Sequence, residues 1–198
     1  MYKLCKTEAS AKRQKEIATS LFNMLDTVPY SNITVTDICK KTNIPRKAFY
    51  RYFDCKDDAL CAYIEHLMTE FEGFRPGGQI PAKKRSLPRE IEGYFKFWRD
   101  HKNVLETLEK NNLLQLLISI MISFPVDNVI SLKKFLPSDD EFSRPFVFRF
   151  AVAGLLFTML DWYRRGFDTP TEDMAKLACR TLSQPLITGL LNENWELH

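Results

Sequence analysis

ITVTDICKKTNIPRKAFYRYFDCKDDAL, residues 33–60, reads as two short helices joined by a tight turn and followed at once by a third. Thr34 is placed to cap the first helix, and Asp37 three residues on can answer it as a capping box. That helix is expected over Val35 to Thr42, with Ile38 facing inward. Asn43 tolerates a left-handed backbone and can close a helix while turning the chain. Ile44 then plugs the turn, and Pro45 pre-sets the backbone for a second helix, about Pro45 to Phe53.

The second helix carries the chemistry. At about 100° per residue, Arg46, Lys47, Tyr50 and Arg51 share one arc of roughly 140°. Phe49 and Phe53 fall on the other side. A surface helix normally presents a mixture of charges, yet no carboxylate appears here before Asp54. Guanidinium groups suit guanine edges, and ammonium and phenol groups suit phosphate oxygens, so this face fits a DNA groove. The same spacing also describes a helical hairpin whose basic face is merely solvated, or contacts a protein or membrane surface.

The stretch resembles the helix-turn-helix of the TetR/AcrR family of bacterial transcriptional regulators. Its matching residues are Thr34-Val35-Thr36-Asp37-Ile38-Cys39, Asn43-Ile44-Pro45, Phe49-Tyr50-Arg51-Tyr52-Phe53 and Lys56-Asp57-Asp58. It departs from the family pattern at Asn43 (usually glycine), Pro45 (usually serine) and Cys55 (usually a Ser or Asn cap). The resemblance implies an all-α fold: an N-terminal three-helix helix-turn-helix DNA-binding domain, then a C-terminal helical dimerisation and effector domain. It implies DNA contacts from Thr34, Thr36, Arg46, Lys47, Tyr50, Arg51, Tyr52 and Lys56. Lys56, expected to be exposed, would hold a phosphate together with the amides that open its helix. A homodimer on a palindromic double-stranded operator, released by a small-molecule effector, completes the implied mechanism, with repression as its expected sign. No cofactor is expected.

Charge is distributed to match. Residues 1–56 hold 11 Lys/Arg against 5 Asp/Glu, whereas residues 57–198 hold 17 against 20. A basic excess confined to the segment that would meet DNA is an electrostatic footprint. The 198 residues, 45% of them apolar, can bury one ample core or two small ones. No signal peptide is apparent at the charged N-terminus. The longest apolar run, Phe146 to Leu160, contains Arg149 and falls short of the roughly 20 residues a membrane span needs. The five cysteines lack CxxC pairing, so reduced thiols in the cytoplasm are expected, with no membrane partner.

The remaining chain reads as helices. The first is expected over Thr7 to Asp26, with Ile17, Leu21, Met24 and Leu25 on one face. Tyr30 is expected to pack over it. A helix over 56–71, with Leu60, Tyr63, Ile64, Leu67 and Met68 inward, connects the DNA-binding domain (1–72) to the regulatory domain (73–198). The Gly- and Pro-rich stretch 73–87 is a loop ending in Lys83-Lys84-Arg85. Helices follow over 88–101, around Val104 to Leu108, and over Leu113 to Phe124, with 126–142 ambiguous. Ser143 to Arg165 is apolar nearly all round, as a helix covered on two sides is. Another subunit is the expected second cover, with Ala151, Ala153 and Gly154 allowing close approach. Gly166 ends it, and Thr169-Pro170-Thr171-Glu172 opens the last helix as a capping box, with Met174, Leu177, Ala178, Thr181 and Leu182 as its stripe. Residues 97–114 and 154–174 also resemble, more sparsely, the C-terminal domain of a DhaS-like branch of the same family.

Phe95, Trp98, Leu117, Met121, Phe148 and Met159 are candidates to line an apolar effector pocket. The competing reading is a filled core, since aromatic stripes at helical spacing are ordinary core. No metal site is expected: His66, His101 and His198 share no face with ligands at suitable spacing. No nucleophile elbow, phosphate loop or paired-carboxylate arrangement points to an enzyme. Cys55 beside Lys56, at a helix start, keeps a thiol-sensing regulator open as an alternative.

Overall fold

The computed structural model describes Lys3, Cys5 and residues 7–71, 86–123 and 144–183. Among these are nine α-helices, one 3-10 turn (Tyr30–Asn32) and no strand. The helices are α1 Glu8–Met24, α2 Val35–Lys41, α3 Arg46–Phe49, α4 Lys56–Glu70, α5 Leu87–Asp100, α6 Lys102–Lys110, α7 Leu114–Ser123, α8 Arg144–Arg164 and α9 Thr171–Ser183. The ambiguous segment 126–142, the loop 73–87 up to its last two residues, the Lys83-Lys84-Arg85 patch and His198 lie outside the described residues.

Two compact units form. The first contains α1 to α4 with α6 and α7; the second contains α5, α8 and α9. Residues 101–123 therefore pack with the N-terminal helices. The cause is local. Helix α7 lies against α4 and buries Leu117, Ile120 and Met121, while the Asn111 side chain before it accepts a hydrogen bond from the Tyr30 N–H (2.8 Å).

In the first unit α1 packs along α4. Ile17, Ala18, Leu21, Phe22 and Leu25 meet a face of Ala59, Leu60, Ala62, Ile64, Leu67 and Met68, all buried. The alanines let the two helices come close, and Phe22 stacks on Tyr63 with ring centroids 4.0 Å apart. Thr7 caps α1 through a box with Ser10.

Three helices end in the same closure. In α2 the Ile44 N–H donates to the Cys39 carbonyl (3.0 Å) and the Asn43 N–H to Lys40 (3.3 Å), with Asn43 at φ 51°. In α6 the Leu113 N–H donates to Leu108 (2.7 Å) and the Asn112 N–H to Glu109 (3.0 Å), with Asn112 at φ 57°. In α8 the Phe167 N–H donates to Trp162 (2.9 Å) and the Gly166 N–H to Tyr163 (2.9 Å), with Gly166 at φ 74° and Phe167 at 59°. Each is a Schellman motif, which satisfies carbonyls that a helix end leaves open. The α8 closure adds the apolar contact typical of the motif, Phe167 edge-on to Trp162 at 4.6 Å.

The second unit is built on α5, which packs chiefly on α9 and also on α8. Ile91, Tyr94, Phe95 and Trp98 are its buried face. Phe95 meets Trp162 edge-on at 5.5 Å, and the Trp162 Nε1 donates to the Thr169 carbonyl (3.0 Å). The Thr169 hydroxyl donates to Asp168, and α9 begins at Thr171. Its buried stripe is Met174, Ala175 and Ala178; Leu177, expected within it, is exposed.

Helix α8 is not covered all round within its own unit. Phe148, Ala151, Val152, Leu155, Leu156, Met159 and Leu160 are buried, whereas Phe146, Phe150 and Phe157 are more than half exposed. Gly154 is exposed on the same side. The helix outruns the apolar segment read from the sequence. Over Pro145–Arg164 it is long and apolar enough to cross a membrane, although half of that window is buried within the fold, as in a core helix.

Candidate nucleic-acid interface

Helix α2 is opened by the expected capping box. The Thr34 N–H (3.0 Å) and hydroxyl (2.6 Å) both donate to the Asp37 carboxylate, and the Asp37 N–H donates back to Thr34 Oγ1 (3.2 Å). These bonds hold the Asp37 carboxyl below its ordinary range, the Thr34 hydroxyl contributing most. The Thr34 hydroxyl proton is thereby committed inside the protein. Thr36, the second residue of α2, is half-buried.

The recognition element is shorter as regular helix than expected. Only Arg46–Phe49 is α-helical, with Pro45 in the cap position; Tyr50 to Phe53 continue as tight turns. The Arg51 N–H donates to Ala48 (3.2 Å), Tyr52 to Phe49 (2.9 Å) and Phe53 to Phe49 (3.1 Å). Phe49 and Phe53, both fully buried with rings 5.3 Å apart, anchor the element by one side. Arg46, Lys47, Tyr50 and Arg51 are exposed, the grouping the helical spacing predicts. Arg46 Nη2 lies 3.5 Å from the Tyr50 hydroxyl, so the two head groups stand together. Tyr52 is half-buried against Phe53.

Lys56 differs from its expected exposure. It is half-buried, and its ammonium donates to the carbonyls of Tyr30 (2.7 Å) and Ile33 (2.9 Å). The same group sits 4.2 Å above the Tyr30 ring centroid. Tyr30, expected over α1, thus belongs to the start of α4, where its hydroxyl donates to Asp57. Burial, then the bonded Asp57 carboxylate, push the Tyr30 phenol far above its ordinary value. An ammonium has three protons, and two are used in clamping the 3-10 turn that precedes α2.

Cys55 occupies the N-cap of α4 without a side-chain bond to the helix. Asp58, at the third helical position and buried, compensates by accepting the Asp54 N–H (3.0 Å). All five cysteines are free thiols. Among the described residues no group of three or more His, Cys, Asp or Glu could hold a metal ion.

The six effector candidates are all buried. Phe95, Trp98, Phe148 and Met159 belong to the second unit, Leu117 and Met121 to the first. Lys3 and Gln14, which spacing did not single out, join the recognition element: the Lys3 ammonium donates to the Tyr50 carbonyl (2.7 Å), and Gln14 Nε2 to the Lys3 carbonyl (2.9 Å). No periodic signal marks a residue outside every helix, and a lone glutamine on an apolar face carries none either.

No family model matches the chain, and no curated protein matches it by sequence. Solved structures do. The dihydroxyacetone kinase operon activator DhaS aligns over 86% of this chain and 94% of its own at TM-score 0.53 and 18% identity. A TetR-family transcriptional regulator from Streptomyces coelicolor aligns over 90% of this chain and 81% of its own, at 0.52 and 18%. The fatty acid degradation regulator FadR from Bacillus halodurans aligns over 92% and 99%, at 0.52 and 13%. The chain has the all-helical fold of TetR-type regulators.

Proposed function

We propose that the chain is a DNA-binding transcriptional regulator that reads a palindromic operator as a homodimer. The observation that carries this is the recognition element. Phe49 and Phe53 are spent on the core, while Arg46, Lys47, Tyr50 and Arg51 all face out with no acid among them. Arg46 and Lys47 open the element, where base edges are met in this motif; Tyr50 and Arg51 suit phosphate. Thr36 and Tyr52 flank that face. Thr34 and Lys56 support it chiefly by holding α2 and the turn before it.

The exposed row Phe146, Phe150, Gly154 and Phe157 on α8, with Leu177 on α9, supports a two-fold dimer contact. Repression released by a small, largely apolar effector is the regulatory reading, with Phe95, Trp98, Phe148 and Met159 of the second unit and Leu117 and Met121 of the first as its candidates. In this reading residues 1–72 bind DNA, residues 73–198 regulate, the protein works in the cytoplasm, and it is no enzyme. Selection of bound duplexes from a random pool, followed by titration at fixed salt, tests the core claim. One enriched palindrome supports it; equal affinity for selected and scrambled duplexes rejects it in favour of a nonspecific basic surface.

A further inference from the structure

Lys3 lies outside every helix, yet three bonds tie it to the recognition element and to Asp54 just after it. Its backbone N–H donates to the Tyr52 carbonyl (3.0 Å). Its ammonium donates to the Tyr50 carbonyl (2.7 Å) and pairs with the Asp54 carboxylate (3.0 Å). From the other side, its own carbonyl accepts from Gln14 Nε2 (2.9 Å). Gln14 is only 3% exposed. Burying an amide is costly unless it is hydrogen-bonded, and here the bond made is to Lys3. Tyr50 is the C-cap of α3, an end where carbonyls need partners and a cation is favoured. Lys3 supplies both from 47 residues away.

We propose that Lys3, held by Gln14, is a positioning residue for DNA reading. It straps the second half of the recognition element, Tyr50 to Phe53, and so fixes the directions in which Tyr50, Arg51 and Tyr52 leave the backbone. It acts through the carbonyls of Tyr50 and Tyr52 and not by touching DNA. This role rests on the DNA-binding reading above and deepens it.

The test uses the full chain, tagged only at its C-terminus, with Lys3→Met, Gln14→Leu and their combination. The first readout needs no DNA: amide hydrogen exchange at Tyr50 to Phe53. Lys3→Met, at an exposed position, should accelerate exchange there by about tenfold. Gln14→Leu should do the same, and the double variant should add little. The second readout is affinity for selected and scrambled duplexes across a salt series. Lys3→Met should lose about fivefold on the selected duplex, a hydrogen bond's worth, and less on the scrambled one. Its salt slope should match both wild type and Lys102→Met, which removes an equal charge elsewhere. A slope reduced by about one would make Lys3 a phosphate contact and overturn the proposal. Unchanged exchange would also overturn it, by showing that nothing is strapped. Faster exchange in a protein whose wild type prefers no duplex would instead reject the DNA reading, and the positioning role with it.

Discussion

Arg46→Ala removes an exposed guanidinium, so the fold should be untouched while binding falls. The expected loss on the selected duplex is roughly 1–3 kcal/mol, with relaxed preference at one base pair. Equal losses on selected and scrambled duplexes would place Arg46 on phosphate. Lys56→Met should behave in the opposite way. It strips two carbonyls at a part-buried site of a charged donor, so thermal unfolding should show a stability loss of roughly 1–3 kcal/mol even without DNA. His66 adds a pH effect. Burial first, then repulsion from Lys15 on α1, hold its pKa below the ordinary value against the opposing pull of Glu65 and Glu70. The unfolded chain therefore takes up the proton more readily than the folded one. The stability that His66 contributes is complete above its unfolded pKa of about 6.5 and is lost as pH falls through the folded value. His66→Gln should flatten the Tm-against-pH curve below that point; an unchanged curve would clear His66 of the effect.

At the scale of the element, the three Schellman closures set where α2, α6 and α8 stop. Gly166 has open space around an added Cβ, so Gly166→Ala should meet no clash and cost only backbone strain. That strain is roughly 1–2 kcal/mol, readable by chemical denaturation. Asn43→Gly should cost little, because glycine takes the same left-handed conformation freely. Asn43→Ala should loosen the turn that sets α2 against α3. The recognition element is the exception among these elements, because its regular helix is four residues long. Its geometry comes from buried Phe49 and Phe53 on one side and from Lys3 at its end. Intrinsic helix stability contributes little to so short a segment.

For the whole molecule, the exposed phenylalanines of α8 make the sharpest demand. Phe150 is 67% and Phe146 61% exposed, and a second copy of the face would cover them. Wild type should sediment as a dimer at micromolar concentration, and Gly154→Glu, placing a charge in that row, should sediment as a monomer. A monomeric wild type would end the dimer reading. Effector binding belongs to this scale too. A ligand shifts the equilibrium only if it favours the DNA-incompetent arrangement. Thermal-shift screening of small apolar compounds, with DNA release as the second readout, should yield hits that Trp98→Ala weakens.

Much of this was legible in the residues. The capping box at Thr34, the left-handed Asn43, the inward Phe49 and Phe53 and the outward basic face all follow from spacing and backbone preference. These act over three or four residues, which is the range a sequence pattern can resolve. Gly166 at the end of α8 follows for the same reason. The tertiary structure alone decided the rest. Lys56 turned inward because the carbonyls of Tyr30 and Ile33, more than twenty residues away, converge on its ammonium. Residues 101–123 joined the first unit through packing on α4 and the bond from Tyr30 to Asn111, across a separation of 81 residues. Leu177 faced outward because the small side chains Ala175 and Ala178 supply the buried stripe of α9 beside Met174. Lys3 reached the recognition element through backbone carbonyls that every residue carries, so nothing in the identity of its partners announced the pairing.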